Sequence, residues 1–348
     1  MLKDHGEGLE IQSGELECKS CGACFPILSG VAILVDDVQA YLSIHAKGIS
    51  KFVEDSDIPE RYRDEYLEAK EEAESLHIDE DLESERVNAL YLMTHYLKVQ
   101  GSAQSWWENP NGSSSPLIGA LIREHWDQGP FYQIGKLANE YFGRPRRVVE
   151  LGCGVGGLLR VLGAHAGSYL GVDSSFASIM LARHLNLGTP YPGKIRIPED
   201  LLFGTVSREI TIPESDLNSK DHDFVVGEIE NLPLRPRLHE VSIALNAIDM
   251  LDEPEVLPRA QKELTGEGGI VIQSCPYIWH EKVSKKLRAK IVSARVSDVL
   301  DSAALVKWLY ERSGMQILQA MDHVPWLFLK HPRQLEIYSV HLFVARSG

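Results

Sequence analysis

Hydrophobic and polar residues follow two different patterns along the chain, and the change falls near Arg147. Before this residue, apolar positions at helical spacing predominate after a short stretch of apolar runs broken by Gly and Pro. The pattern there predicts short strands at 8–36, helices over much of 37–100, a loop rich in Gly, Ser, Asn and Pro at 101–116, and helices at 116–126 and 129–142.

From Arg147 onwards, apolar strands alternate with helices. The predicted strands are RRVVELG, SYLGVDS, HEVSIALNAI and GGIVIQSC, and the helices between them include FASIMLARHLNL and EPEVLPRAQKEL. This order is typical of an α/β fold with a parallel sheet that is covered on both faces. A long insertion at 188–222 contains a predicted hairpin, and two apolar runs at 314–329 and 334–347 predict closing strands.

The composition agrees with a globular protein. The chain has 348 residues, of which 44% are hydrophobic, so it can bury a sizeable core in two domains or in one domain with attachments. No apolar run is long enough to span a bilayer, and the N-terminal residues lack the pattern of a signal peptide. We therefore expect a cytoplasmic protein without membrane contact.

The charge is strongly negative and unevenly spread. The formal net charge is −15, and residues 54–86 contain 15 acids and 4 bases, which is a net −11. We interpret this segment as a solvated helical face, and a binding face for a basic partner is the alternative. Because a negative field repels phosphate backbones, nucleic acid is not an expected partner.

A glycine-rich turn joins the first strand of the α/β region to its helix. In VVELGCGVGGLLR, the residues Gly152, Gly154 and Gly157 match G-x-G-x-x-G, which allows a tight turn and close approach of a ligand to the backbone. Nicotinamide-dependent enzymes share this pattern. The acid two residues earlier, Glu150, favours S-adenosylmethionine, since it can meet an amino acid's ammonium group through water. We interpret Cys153 as a small turn residue beside the cofactor.

Two further acids follow the next strands. Asp173 ends the second strand about 20 residues after the glycines, where a carboxylate can accept both ribose hydroxyls, and Ser174 follows in the same turn. At the end of the third strand, Glu228 can accept from an adenine amino group, with Ile229 against the ring face. Because consecutive strands end at one edge, these residues are expected to form one crevice.

These motifs resemble class I S-adenosylmethionine-dependent methyltransferases over roughly 145–348. The shared stretches are ELGCGVGG, GVDSS, GEIENLP and LTGEGGIVI, in the family's order. The resemblance implies a Rossmann-like sheet closed by antiparallel strands, and S-adenosylmethionine as the cofactor. The family more often has Asp where this chain has Glu228. A sheet of the same kind that has lost its ligand and serves as a scaffold is an alternative, and a nicotinamide oxidoreductase ranks last.

Polar residues also follow the fourth strand, in ALNAIDMLDEP. Direct methyl transfer needs an aligned nucleophile with a free lone pair. A neutral imidazole fits, because one nitrogen can donate its proton to Asp249 while the other attacks. Asn246 could orient the ring or the amino acid portion of the cofactor. Alternatively, Asn246 satisfies backbone groups at the strand end and Asp249 caps the next helix.

The fifth strand leads into CPYIW, which contributes Pro276, Tyr277 and Trp279. N-x-x-D followed by P-Y-x-W is similar to the methyltransferase domain of ovothiol-forming enzymes, which methylates a mercaptohistidine ring, and more distantly to protein methyltransferases that make 1-methylhistidine. The resemblance implies that Asn246, Asp249 and Tyr277 are catalytic and that Trp279 contacts the substrate. The aromatic residues are equally well explained as packing. Tyr338 and His280 are interpreted as a core and a surface residue.

Five cysteines are present, and three of them cluster near the N-terminus. Such spacing in a cytosolic chain indicates metal ligation or plain thiols, not disulfides. GELECKSCGACFPILSG resembles the second half of a Trm112-like zinc ribbon. Cys18 and Cys21 supply only two zinc ligands, and Cys24 and His5 have the wrong spacing to complete a site, so no metal is expected. The resemblance implies docking to another domain or to a second subunit in a homodimer.

The sequence thus predicts a partial Trm112-like β module at 1–45, an acidic helical linker or lid at 46–128, and a methyltransferase domain at 129–348. The leading hypothesis is N-methylation of an imidazole in a small molecule or peptide. The alternatives are methylation of a macromolecule, such as tRNA or a protein, and a non-catalytic scaffold. The insertion at 188–222 and the loop with Trp106 and Trp107 are candidate lids.

Overall fold

A computed structural model describes residues 11–75, 80–96, 116–144, 146–200, 206–213, 215, 221–294, 299, 301–331 and 334–348. Its strands are β1 (Ser13–Glu17), β2 (Cys24–Leu28), β3 (Val31–Leu34), β4 (Arg146–Leu151), β5 (Ala166–Asp173), β6 (Arg196–Asp200), β7 (Val206–Glu209), β8 (His222–Gly227), β9 (Val241–Leu245), β10 (Ile270–Cys275), β11 (Met315–His331) and β12 (Gln334–Ser347). Its α-helices are α1 (Val38–Ile44), α2 (Ala46–Ile49), α3 (Glu60–Ser75), α4 (Glu80–Tyr96), α5 (Pro116–Gln128), α6 (Pro130–Tyr141), α7 (Leu158–Leu162), α8 (Phe176–Leu187), α9 (Val256–Thr265), α10 (Glu281–Ser293) and α11 (Ser302–Arg312).

Ten of the strands form one sheet, in the order β1-β2-β3-β8-β5-β4-β9-β10-β12-β11. The six strands from β3 to β10 in this order are parallel to one another. The last strand of the chain, β12, lies between β10 and β11 and is antiparallel to both. The predicted Rossmann-like sheet with closing antiparallel strands is therefore confirmed.

The central strands are apolar along their whole length because both faces of the sheet are covered. In β4, Val148 belongs to one core cluster and Val149 to another, on opposite faces. In β9, Ile243 and Ala244 divide in the same way between the two clusters. The core thus consists of two layers that sandwich the sheet and hold the ends of its strands in fixed positions.

The N-terminal strands extend this sheet. β1, β2 and β3 pair antiparallel, and β3 pairs parallel with β8 through Ile33 and Val226. The hydroxyl of Tyr41 in α1 donates to the carbonyl oxygen of Ser174, 2.7 Å away. Helix α1, which follows the N-terminal strands, therefore contacts the residue after β5, where cofactor residues were predicted. Its likeness to a docking module remains a prediction.

Helix α4 crosses the edge of the sheet at which the parallel strands end, the carboxyl edge. It is held there by three hydrogen bonds to distant elements. Tyr96 donates its hydroxyl proton to the carbonyl oxygen of Val155 at 2.7 Å, and Thr94 donates to that of Leu327 at 3.2 Å. The third bond runs from the Ser178 hydroxyl to Oδ1 of Asn88, at 2.7 Å. The predicted linker therefore contains a helix that packs on the sheet itself.

The insertion after α8 contains the predicted hairpin, since β6 and β7 pair antiparallel with Ile197 opposite Arg208. Residues 201–205 in its turn, and the predicted loop with Trp106 and Trp107, lie outside the described residues. Among the helices that the structure describes, none has the length and hydrophobicity needed to cross a membrane.

Candidate active site

The predicted site residues lie at the carboxyl edge, in the segments that follow β4, β5, β8, β9 and β10. Ligands of open α/β sheets bind at this edge, because the loops there converge and backbone N–H groups point outwards. The glycine-rich turn follows β4, at the centre of the sheet.

Three glycines of the turn adopt the left-handed conformation, with φ of 75° at Gly152, 52° at Gly154 and 74° at Gly156. Only glycine adopts these angles without strain. Gly157 has φ of −65° and precedes α7 in a helical conformation. It is needed for packing, because a Cβ there would lie 2.5 Å from Cβ of His95 in α4. The glycine that the sequence pattern did not single out, Gly156, is therefore required by the backbone.

The carboxylate of Asp173 is held in position by the backbone. Its Oδ2 accepts from the Gly154 N–H at 2.8 Å, and its Oδ1 accepts from the Ser175 N–H at 2.9 Å. Burial raises the pKa of this group, and the two backbone bonds oppose that rise. Each oxygen keeps a lone pair for a further donor, so the group can accept two hydroxyls at once.

Glu150 and Cys153 lie beneath the turn, with exposed fractions of 3% and 2%. The hydroxyl of Tyr169 donates to a carboxylate oxygen of Glu150. Burial raises the pKa of Glu150 to about 8, so the group holds a proton at neutral pH. Burial also keeps the pKa of the Cys153 thiol well above its usual range, which agrees with an inert turn residue.

The third predicted acid, Glu228, is exposed after the end of β8, and Ile229 behind it is half-buried. Partial burial raises the pKa of Glu228, helped by the neighbouring carboxylates of Glu230 and Asp36. The hydroxyl of Tyr41 donates to the Ser174 carbonyl oxygen after β5, and burial, then Asp173 and Glu228, raise the pKa of its phenol. Because β5 and β8 are neighbouring parallel strands, their ends lie side by side at the carboxyl edge.

Asn246 follows β9 with φ of 54°, a left-handed conformation that asparagine tolerates better than most residues. Its N–H donates to the carbonyl oxygen of Ser274 at 2.7 Å, and its Oδ1 accepts from the Ser274 hydroxyl at 3.3 Å. Its Nδ2 is buried and has no hydrogen-bond partner among the described residues. Backbone conformation therefore explains asparagine here, but it leaves an unused buried donor.

The side chain of Asp249 is 3% exposed. One carboxylate oxygen accepts from the N–H of Ile278, 2.7 Å away in the loop after β10. Helix α9 begins at Val256, and the residue at its N-cap position is Glu255. The alternative in which Asp249 caps this helix is therefore wrong, and the residue instead joins the loops that follow β9 and β10.

The aromatic residues after β10 are engaged with neighbouring elements. Tyr277 has φ of 62°, which is strained for a bulky residue, and its hydroxyl lies 2.7 Å from Nδ1 of His341 in β12. Its ring stacks on Trp279, with centroids 5.9 Å apart. The indole N–H of Trp279 donates to the Ser302 hydroxyl at 3.0 Å. These contacts account for both residues through packing, so their contact with a substrate remains a prediction.

Two tyrosines that no motif indicated also lie at this site. The ring of Tyr91 in α4 lies 3.8 Å from the position that a Cβ on Gly154 would occupy. Tyr338 in β12 is half-buried and donates to Glu336 at 3.0 Å. Burial and Glu336 raise the pKa of Tyr338 to about 12, with smaller contributions from Asp249 and Tyr91. Tyr338 packs half-buried against the main core cluster, with its ring 5.1 Å from that of Phe328, as the sequence pattern predicted.

The N-terminal cysteines and His5 were the sequence candidates for a metal site. Among the residues that the structure describes, no three His, Cys, Asp or Glu side chains come together in a way that could hold an ion. The Sγ of Cys18 instead lies 3.0 Å from the Ser20 hydroxyl. His280 is exposed at the start of α10, as expected of a surface residue. His5 lies outside the described residues.

A cavity of about 920 Å³ lies at the opposite edge of the sheet, between α9, α10 and α11. Most of the residues that line it are charged or polar, and they include Arg237, Arg259, Glu263 and Arg312, with Trp308 beside them. None of the predicted site residues lines it. The convergence of strand ends, and not the size of this cavity, therefore defines the candidate site.

Comparisons with known proteins give matches among solved structures only. No protein-family model matches the sequence, and no curated protein matches it. Among solved structures, the complex between the Haloferax volcanii Trm112 methyltransferase activator and a methyltransferase is 15% identical, with a TM-score of 0.39, and covers 66% of this chain and 94% of that chain. Magnesium protoporphyrin IX methyltransferase from Synechocystis, with bound SAH, is 12% identical with a TM-score of 0.40. The match covers 74% of this chain and 97% of that chain.

An S-adenosylmethionine-dependent methyltransferase from Mesorhizobium loti is 14% identical with a TM-score of 0.39, covering 62% of this chain and 96% of that one. Similarity at this level concerns the fold alone. The strand order of the chain itself, with β12 antiparallel between β10 and β11, is that of a Rossmann-like sheet closed by antiparallel strands.

Proposed function

We propose that the protein is an S-adenosylmethionine-dependent methyltransferase and that its acceptor is an imidazole nitrogen of a small molecule or peptide. The first half of the proposal is supported by three strand ends that present complementary groups to one cofactor. Asp173 offers two positioned carboxylate oxygens, Glu228 an exposed acceptor, and Asn246 a buried amide donor without a partner. An unpaired buried donor is unfavourable unless a ligand satisfies it.

S-adenosylmethionine, when bound, supplies a methyl group on a positively charged sulfur. Asp173 would accept the ribose hydroxyls, and Glu228 the adenine amino group. Nδ2 of Asn246 would donate to the carboxylate of the amino acid portion. The left-handed glycines Gly152 and Gly154 carry no side chain to keep a ligand from the backbone. The residues present therefore fit this cofactor.

Asp249 carries the acceptor half of the proposal. Its carboxylate is almost fully buried, and one oxygen is fixed by the Ile278 N–H. The other oxygen can accept the N–H of a neutral imidazole, which fixes the tautomer and leaves the second ring nitrogen with its lone pair free. The chain thus orients the nucleophile and holds its proton, and no separate base is required.

The surroundings of Asp249 favour a small or flexible acceptor over a folded macromolecule. Burial is the main cause that raises the pKa of the Tyr91 and Tyr338 phenols, and the Asp249 carboxylate contributes to both rises. Both remain protonated at neutral pH. Tyr338 donates its proton to Glu336, whereas the Tyr91 hydroxyl can donate to the acceptor or its substituents. Such an enclosed carboxylate is accessible to an imidazole at the end of a flexible chain.

Methyl transfer from labelled S-adenosylmethionine should be measured with a panel of acceptors. The panel contains histidine, thiol-substituted histidines, carnosine-like dipeptides, histidine-containing peptides, bulk tRNA and ribosomal fractions. We expect label on an imidazole compound. Label on tRNA or protein alone would support the macromolecular alternative, and cofactor binding without label on any acceptor would contradict the imidazole assignment.

The variant Asp249→Asn tests the role of the carboxylate. Replacing the charged acceptor by an amide should reduce kcat by roughly 100-fold or more, since positioned proton-handling groups contribute about 10²–10⁴-fold. The affinity for S-adenosylhomocysteine should stay within about threefold, because a lost contact would change it by more. Asp252→Asn, at an exposed carboxylate on the same segment, is the matched control.

A further inference from the structure

Tyr91 occupies a fixed place because helix α4 is tied to the carboxyl edge on both sides of it. Three residues before Tyr91, Asn88 accepts from the Ser178 hydroxyl at 2.7 Å. Three and five residues after it, Thr94 and Tyr96 donate to backbone carbonyls of β11 and of the glycine turn. The helix therefore holds the Tyr91 ring against the site and leaves it little freedom to swing away.

The ring stands over the glycine turn and is supported from behind. An added Cβ on Gly154 would lie 3.8 Å from two ring carbons of Tyr91. The ring of Phe328 contacts it edge-on with centroids 6.1 Å apart, and His95 lies 5.7 Å away on the same helix. Tyr91 is half-buried among these neighbours, so part of its surface stays accessible to a ligand at the turn.

Along the cleft, Tyr91 lies between the two halves of the site. The Gly154 N–H beneath it donates to Asp173, the predicted ribose acceptor. Burial raises the pKa of the Tyr91 hydroxyl, and the carboxylates of Asp173 and Asp249 both raise it further. The phenol is therefore within electrostatic reach of both the ribose acceptor and the proposed imidazole acceptor.

In S-adenosylmethionine, the sulfur is bonded both to the ribose-bearing carbon and to the transferable methyl group. A cofactor with its ribose at Asp173 and its methyl group towards Asp249 has its sulfur between them. We propose that Tyr91 is a positioning residue whose ring faces the sulfonium of the bound cofactor and favours S-adenosylmethionine over the neutral product S-adenosylhomocysteine. Aromatic faces attract cations, and this attraction grows where water is excluded. The inference rests on the proposed function.

Calorimetry with S-adenosylmethionine and S-adenosylhomocysteine tests this inference without any acceptor. For Tyr91→Leu, the Kd of S-adenosylmethionine should rise about tenfold more than the Kd of S-adenosylhomocysteine, as expected for a partly desolvated cation over a ring. Tyr91→Phe keeps the ring and should leave the ratio of the two Kd values within about twofold of the wild type. Tyr132→Leu, at an exposed tyrosine on α6 with Lys136 over its ring, is the matched control.

The ratio is informative because a purely structural defect weakens both ligands alike. Both ligands bound by Tyr91→Leu with an unchanged ratio would overturn the inference and leave the proposed function intact. Wild-type protein that binds neither ligand would instead overturn the proposed function, and the inference with it. If Tyr91→Leu does not fold, Tyr91→Trp provides the second test. Its stronger cation–π face should shift the ratio further towards S-adenosylmethionine, and an unchanged ratio there would equally contradict the inference.

Discussion

The two halves of the candidate site are built in different ways. The cofactor half consists of Glu150, Gly152, Gly154, Asp173 and Glu228. These residues lie at the ends of β4 and β5 or in the short turns after β4 and β8, and the backbone itself positions Asp173. The acceptor half consists of Tyr91, Asn246, Asp249, Tyr277 and Tyr338. Its members come from one N-terminal helix, two strand ends and the last strand, and they are held largely through side chains and long-range contacts.

The cofactor half is fixed by its backbone conformation, whereas the side chains of the acceptor half can vary. A turn that depends on glycine conformation and backbone hydrogen bonds tolerates few replacements. Side chains on a helix and an edge hairpin can change without disturbing the central sheet. We therefore expect changes in the cofactor half to affect stability or cofactor affinity strongly, and changes at Asp249, Tyr277 and Tyr338 to affect mainly the acceptor. Changes at Tyr91 and Asn246, which are proposed to contact the cofactor as well, should also alter cofactor affinity. The following predictions test this division, from the largest expected effect to the smallest.

Gly156→Ala should be the most damaging single change in the glycine turn. The new Cβ would lie 2.6 Å from the ring of Phe224, at a residue with φ of 74°. Steric overlap and left-handed strain together should lower the free energy of unfolding by about 4 kcal/mol, measured in urea. Gly188→Ala is the matched control, because Gly188 has a left-handed backbone with φ of 70° and ψ of 20° and open space around it, so the change should cost only about 1 kcal/mol. Equal losses would show that packing contributes nothing at Gly156.

Asp173→Asn should weaken S-adenosylhomocysteine binding by about 100-fold, since hydrogen bonds to a charged group are worth about 1.5–3 kcal/mol each. The amide also places an NH₂ against one of the backbone N–H groups of Gly154 and Ser175. Calorimetry measures the loss. Asp37→Asn is the control, because Asp37 also accepts from a backbone N–H, at the start of α1. Unchanged affinity in Asp173→Asn would remove this residue from the cofactor half.

Glu150 should make stability fall as pH rises. Its folded pKa is about 8, above the usual 4.5, so between these values the folded state keeps a proton that the unfolded state has released. The free energy of unfolding of the wild type should fall by about 2 kcal/mol between pH 5 and pH 7 because of this group. The Glu150→Gln variant, which has no proton to release at this position, should not show that fall. Urea unfolding at both pH values measures this, with Glu281→Gln at an exposed site as the control. Parallel pH profiles for the wild type and Glu150→Gln would contradict the burial of a neutral carboxyl.

Asn246→Gly separates the backbone role of this residue from its ligand role. Glycine accepts φ of 54° without strain, so stability should change by less than about 1 kcal/mol. Loss of the unpartnered Nδ2 donor should weaken S-adenosylhomocysteine binding by about tenfold, the value of one good hydrogen bond. Asn246→Ala should additionally lose stability through strain. Wild-type affinity in the glycine variant would leave Asn246 with a backbone role alone.

The sequence predicted the fold and the cofactor half more completely than the acceptor half. The parallel sheet with its closing antiparallel strands, the hairpin at β6 and β7, and the placement of Asp173 beside the glycine turn follow from local patterns and chain order, whereas the addition of β1–β3 to the same sheet was not predicted. The pattern G-x-G-x-x-G emphasised Gly157, although Gly156 is the residue in the left-handed conformation. A consensus spacing records which residue types recur, and it does not show which of them has a constrained φ.

The acceptor half was only partly predictable. Asn246 and Asp249 were found because they follow a strand, but nothing in the sequence distinguishes Tyr91 from the other helical residues of α4. Likewise, Trp279 was expected in the crevice, whereas its indole donates to Ser302 at the start of α11. Contacts between residues so far apart in sequence depend on how the helices pack on the sheet, which no local pattern encodes.

By itself, the sequence determined the elements, their order, and the acids that end successive strands, because apolar periodicity and turn chemistry act over a few residues. Only the tertiary structure decided that α4 lies across the carboxyl edge and that Tyr91 lies against Gly154 of the glycine turn. It also decided that Asp249 bonds the next loop instead of capping α9. These outcomes depend on side-chain packing between elements more than a hundred residues apart, such as that of α4 on β11.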